Sequence, residues 1–142
     1  MPEETKQEFR EDGFFITGDI GTMDDDNYLS IVGRSKDLII FGGYNVYPKK
    51  IEIILDDVDE VYESVVIGVP HPDSGEGVLA VVVLVAGADQ KKEGINNNLK
   101  QKIAAYNRPK NIFFVDELPR NTMCKVLKNI LRDQYKNNFT TP

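Results

Sequence analysis

Residues able to do chemistry gather at turns marked by glycine, proline and asparagine. In "LPRNTMCKVLKN", residues 118–129, Lys125 stands between a turn built of Pro119, Asn121 and Thr122 and a run whose Leu127, Ile130 and Leu131 are spaced to look inward from a helix. A cation at a helix start opposes the helix dipole, so Lys125 is either a solvated surface charge or a group presented to a ligand. In "TGDIG", Asp19 places a carboxylate after a strand and a glycine, where it accepts bonds from paired hydroxyls or serves an ordinary turn. Arg34 and Lys36 flank a serine in "GRSKD", at the point where the hairpin gives way to the globular unit, and are either a functional pair or a charged linker. Gly42 and Gly43 in "FGGYN" permit close backbone approach to a narrow ligand, or simply a turn with positive φ. In "AYNRPKN", Tyr106 precedes Arg108 and Lys110. An aromatic face beside cations suits an adenine with attached phosphates, whereas helical spacing from Leu99 and Ile103 suits a core tyrosine.

Other chemistries lack their parts. His71, the only histidine, sits between prolines in "PHPD" with no serine or cysteine partner and no second metal ligand, so no metal site is expected. Cys124 has no partner base and is not expected to be a catalytic thiol. Phosphate loops of the GxxxxGK[ST] or GxGxxG kind are absent from the sequence.

The whole chain bounds what these residues can serve. Its 142 residues suffice for one domain, or for a small domain with an appendage. A 41% hydrophobic and 28% charged composition is that of a globular protein. The longest apolar run, Val78 to Ala86, is far below the ~20 residues of a membrane span, and the acidic start "MPEETKQEFRED" is unlike a secretory signal. No membrane partner is expected, and the single cysteine points to a reducing cytoplasm. Net charge is −6, yet residues 1–99 hold 20 acids against 8 bases while residues 100–142 hold 3 against 9. The basic final third suits a polyphosphate; the acidic whole disfavours nucleic acid.

The elements that must position these groups are read from periodicity. Residues 14–33 predict a hairpin around "MDDDN", and "LIIF", 38–41, a strand stopping at Gly42 and Gly43. Pro48 opens a helix whose Ile51, Ile54, Leu55 and Val58 share a face. The β-branched runs "VYESVVIGV" and "VLAVVVLVA", divided by "PHPDSGEG", predict central strands. A helix turning Leu99, Ile103 and Tyr106 inward and ending by Pro109, the strand "IFFV", and a helix from about Val126 to Tyr135 complete the series. The expected fold class is α+β, with helices packed on one face of a small, mostly antiparallel sheet. The hairpin has too little apolar company to be stable alone and should dock on another chain or domain.

Taken in order, "FITGDIG", "YLSIVGRSKDLIIFGGYNVYPKKIE", "VVIGVPHPDSGEGVLAVVV" and "LPRNTMCK" resemble the C-terminal part of acyl-CoA synthetases of the adenylate-forming superfamily. "HPDSGEGV" and "LPRNTMCKVLKNILRDQYK" are most similar to malonyl-CoA synthetases. The resemblance implies that residues 1–36 are the tail and hinge of a large N-terminal adenylation domain, and residues 37–142 a mobile C-terminal lid domain. It implies ATP with Mg2+, CoA and a carboxylic acid as partners, with no metal bound by this chain itself. By similarity, Asp19 would bind the ribose hydroxyls of ATP, Arg34 would contact the same nucleotide, and Lys36 would be the hinge. Lys125 would reach the reacting carboxylate and α-phosphate. Gly42 and Gly43 would line the pantetheine tunnel after the lid rotates, and Tyr106, Arg108 and Lys110 would hold the CoA nucleotide. The family usually has glycine just before the lysine; here Cys124 is expected to stiffen the loop or displace Lys125. The expected activity is acyl-CoA formation through an acyl-adenylate, incomplete in this chain by itself. The alternatives are a stand-alone nucleotide or CoA-binding module and a non-catalytic fragment that forms a homodimer through its hairpin.

Overall fold

The computed structural model describes residues 2–88 and 92–140. It divides into two compact units, Met1–Lys36 and Asp37–Pro142.

In the first unit a short helix, α1 (Pro2–Glu8), precedes the antiparallel pair β1 (Asp19–Met23) and β2 (Leu29–Arg34). The expected hairpin therefore exists but starts later than predicted, and α1 was not predicted at all. Between them Gly13 and Gly18 both have positive φ, and Phe15 manages a single bridge to Phe9. Left-handed glycines turn the chain out of the extended conformation, so Phe14, Phe15 and Ile16 do not pair as a strand. The turn is held by Asp24, whose Oδ1 accepts from the amides of Asp26 and Tyr28. Phe14, Phe15, Ile16, Met23, Tyr28, Leu29 and Ile31 are all exposed.

The second unit begins with the hairpin β3 (Ile39–Phe41) and β4 (Tyr44–Val46), the latter missed in the sequence, and continues into α2 (Pro48–Asp56). The ladder of β5 (Val61–His71) and β6 (Gly75–Leu84) follows, then α3 (Lys92–Lys102), β7 (Asn111–Phe114) and α4 (Lys128–Tyr135). Strand β6 is central, pairing antiparallel with β5, parallel with β7, and at Gly75 with Phe41 of β3. The sheet is thus mostly antiparallel, as expected, with β5 at one end of the order β4-β3-β6-β5.

The helices cover both faces of the sheet, not one. Val78, Ala80 and Val82 of β6 face Ile51 and Leu55 of α2 and Ile95 and Leu99 of α3. Leu79, Val81 and Val83 face the opposite way, toward Leu131 of α4 and Leu118 in the segment before it. The alternation of side chains is present, but both alternating sets are apolar, and a strand apolar on both sides needs cover on both. Strand β5 has lost its expected central position, and its free edge is closed by side chains. The Val66 amide donates to Glu52 Oε1 at 2.9 Å, its carbonyl accepts from Lys128 Nζ at 3.3 Å, and the two side chains pair at 2.8 Å. Ile130, predicted to look inward, is 44% exposed, because α4 starts only at Lys128 and buries Leu131 instead. Among the described residues no helix is long and apolar enough to cross a membrane.

Candidate functional site

In the first unit Asp19 and Arg34 face each other across the β1–β2 register, with Arg34 Nε 3.5 Å from Asp19 Oδ1. Asp19 opens β1 instead of closing a strand, which is a correction: Gly18, at φ 77°, turns the chain into the ladder at that point. An alanine there would meet Arg34 Nη2 at 3.5 Å, so glycine is needed for its backbone and not for room. Arg34 Nη2 also donates to the carbonyl of Thr17 at 3.4 Å. Both side chains keep part of their surface in solvent, leaving carboxylate and guanidinium able to face a ligand together. Lys36 lies exposed in the 3-10 turn Ser35–Asp37 that ends the unit.

In the second unit Gly42 and Gly43 form the two-residue turn between β3 and β4 with φ of 54° and 86°. A Cβ at either would meet nothing within 4 Å; the mirror-type hairpin turn alone calls for glycine. The turn is exposed, which leaves its backbone approachable. Its flanks carry the predicted aromatic and cationic groups. Tyr106 stacks on Tyr44 with ring centroids 4.7 Å apart, and Lys110 Nζ lies 4.9 Å over the Phe41 ring. Tyr106 is not an inward helical residue: α3 stops at Lys102, and Tyr106 sits on a separate 3-10 turn, Ala105–Asn107, 38% exposed. It lines a cavity of about 260 Å3 with Tyr47, Lys50, Ile54, Ile103 and Asn107. Arg108 is half-buried, and its Nε has no hydrogen-bond partner among the described residues.

The lysine loop is a small hairpin in which Arg120 and Val126 form an antiparallel bridge. The Asn121 amide donates to the Lys125 carbonyl at 3.0 Å, and the Leu127 amide to the Pro119 carbonyl at 2.9 Å. Asn121 Oδ1 accepts from the amides of Met123 and Lys125, both at 2.9 Å. Cys124 has φ 62°, a left-handed conformation that favours glycine. The cysteine is accommodated by that backbone, its thiol exposed. Arg120 Nη1 donates to the Cys124 carbonyl at 2.9 Å while its Nη2 pairs with Glu63 of β5. That hydrogen bond with Glu63 holds the Arg120 guanidinium above its ordinary pKa. Lys125 itself is exposed and makes no ion pair among the described residues.

The structure brings Gly42, Gly43, Tyr106 and Lys110 into one neighbourhood. Lys125 belongs elsewhere, on a loop tied to β5, at the opposite end of the strand order from β4. Glu63 and Arg120 were not singled out in the sequence, and Asn121 was read only as a turn former; Arg120 lay inside the quoted motif, but its partner lies 57 residues away and no local pattern announces it. Among the described residues no group of three or more His, Cys, Asp or Glu side chains is placed to hold a metal ion.

Comparison with known proteins places residues 50–125 in a match to the AMP-binding enzyme C-terminal domain. The crystal structure of ATP-bound MatB from Rhodopseudomonas palustris superposes with a TM-score of 0.90 at 54% identity, covering 99% of this chain and 28% of that one. The long-chain-fatty-acid–CoA ligase FadD13 of Mycobacterium tuberculosis is 44% identical over 137 residues, 94% of this chain and 26% of that protein. The 2-succinylbenzoate–CoA ligase of Geobacillus kaustophilus is 41% identical over 131 residues, 92% of this chain and 26% of that protein. The chain thus spans about a quarter of the length of the curated relatives it matches.

Proposed function

The chain belongs to the family of AMP-binding enzyme C-terminal domains, and from that premise we propose that it is the C-terminal part of an ATP-dependent acid–thiol ligase acting through an acyl-adenylate. Residues 1–36 are the tail and hinge of a large adenylation domain, and residues 37–142 its mobile lid. The observation that carries the reading is Lys125: an exposed ammonium with no ion pair among the described residues, on a loop whose backbone is fixed by side-chain hydrogen bonds. A free cation costs nothing to detach from a protein carboxylate, so its charge is available to offset an acid and an α-phosphate approaching each other. It works in the cytoplasm, where ATP and CoA are at hand.

Asp19 accepts from the ribose hydroxyls and Arg34 contacts the same nucleotide; their cross-strand pairing supports a joint role. Lys36 is the hinge. The exposed turn at Gly42 and Gly43 serves the pantetheine tunnel, and Tyr106, Arg108 and Lys110 beside it hold the CoA nucleotide. Residence of these groups and Lys125 at opposite ends of the sheet supports their use in different lid orientations. Mg2+ would arrive with ATP. The resemblance of "HPDSGEGV" and "LPRNTMCKVLKNILRDQYK" to malonyl-CoA synthetases favours a small dicarboxylic acid as substrate, with fatty acids the competing class. The exposed apolar residues of the first unit support a covering partner, the large domain in preference to a second copy of the chain.

The test is a pair of half-reactions in the enzyme that joins this chain to the large domain. Lys125→Ala should depress adenylation, read as ATP–pyrophosphate exchange, by about 100-fold or more while sparing thioester formation from supplied acyl-adenylate. Equal losses in both would remove the assignment, and AMP release by the purified chain alone would remove the need for a partner domain.

A further inference from the structure

We propose that Arg120 is the positioning residue for Lys125, clamping the lysine loop to the sheet through Glu63; this rests on the reading of Lys125 as the adenylation lysine. The peptide unit between Cys124 and Lys125 is held from both ends. Its carbonyl accepts from Arg120 Nη1 at 2.9 Å and its amide donates to Asn121 Oδ1 at 2.9 Å. With that plane fixed, the Cα of Lys125 is fixed, and only the flexible side chain remains to find the ligand.

The bonds to Asn121 shape the loop, but they are internal to it and cannot set where it lies. Arg120 does. Its other guanidinium nitrogen pairs with Glu63, a side chain of β5, which is laced to β6 along its whole length. The rigid fork of arginine suits this bridging task, because one planar group donates to a carbonyl and to a carboxylate at once. A lysine at 120 has a compact ammonium on a flexible stem and lacks the rigid planar fork that fixes both acceptors in one orientation. Glu63 has a second effect: by neutralising Arg120 it leaves Lys125 as the cation facing the ligand. The left-handed Cys124 adds to the need for a clamp, since a non-glycine residue at φ 62° relaxes once its peptide is released.

The distinguishing experiment asks whether Arg120 acts through Lys125. In the enzyme comprising this chain and its large domain, Arg120→Ala and Arg120→Lys should lower kcat for adenylation about 10- to 100-fold, with KM for acid and ATP unchanged and thioester formation intact. In a Lys125→Ala background, Arg120→Ala should add no loss. A further loss there, or a rise in KM at unchanged kcat, overturns the proposal. A second readout uses this chain alone. The Lys125 amide, which donates to Asn121 Oδ1, reports loop mobility. Its hydrogen exchange, followed by NMR, should accelerate in Arg120→Ala and Glu63→Ala, with the folded circular-dichroism spectrum retained; unchanged rates overturn the clamp. If Lys125→Ala leaves adenylation intact, the functional reading falls, while the exchange rates still decide whether Arg120 holds the loop.

Discussion

Replacing Cys124 isolates one backbone term. The thiol is exposed, so its removal sacrifices little buried surface, and the change in stability reports the cost of φ 62°. A Cβ in the left-handed region costs about 1–2 kcal/mol. Glycine gives back about 0.4–1 kcal/mol by loosening the unfolded chain. Cys124→Gly should therefore stabilise the protein by about 0.5–1 kcal/mol, a rise of roughly 2–4 °C in Tm for a chain of this size. Cys124→Val should do the reverse, since a β-branched residue at positive φ is a true outlier. Its cost is bounded by letting the loop open, which forfeits the Asn121–Lys125 and Asn121–Cys124 backbone bonds at about 0.5–1.5 kcal/mol each. Urea titration of the three proteins, with equal m-values, should give midpoints in the order glycine, cysteine, valine. A glycine variant less stable than the parent, or a valine variant equal to it, would refute the reasoning.

Glu52→Ala leaves the Val66 amide without its acceptor and the Lys128 ammonium with the Val66 carbonyl but no counter-charge in a half-buried edge, and should cost about 2–4 kcal/mol in urea denaturation. The double change Glu52→Leu with Lys128→Met should recover much of that, and a silent single variant would sink the edge-closing role. Gly68→Ala puts a Cβ 3.0 Å from both Ile39 Cγ atoms in the core and 2.9 Å from Glu76 Oε1, an overpacking cost of about 1–3 kcal/mol that Ile39→Val should partly relieve. Burial holds the Tyr135 phenol above its ordinary pKa, against Phe113 at 4.7 Å. The folded state then keeps that proton longer than the unfolded one, so this contribution is intact below about pH 10 and is lost as pH rises through the folded pKa. Tyr135→Phe should flatten this alkaline decline in Tm; an unchanged decline would place its origin elsewhere.

Much of the second unit was legible because its signals are local. Ile51 and Leu55 recur at helical spacing after Pro48, the valine runs of β5 and β6 are long and β-branched, and the glycine pair marks a reversal. The predicted site residues fall at turns and strand ends for the same reason. Where reading failed, a local signal was outvoted. Tyr106 kept helical spacing from Leu99 and Ile103, yet α3 ended at Lys102 and the ring found Tyr44. Residues 14–18 looked like a strand until left-handed glycines at either end broke the register.

Sequence by itself determined which segments extend, which coil and which turns carry charge, because those preferences act over a few neighbouring residues. The tertiary structure decided what lies against what. It covered a doubly apolar sheet on both faces, closed the β5 edge with Glu52 and Lys128, which are 76 residues apart, and joined Glu63 to Arg120 beneath the lysine loop. Such pairings depend on how the sheet and helices meet in space, and no short-range periodicity carries that information.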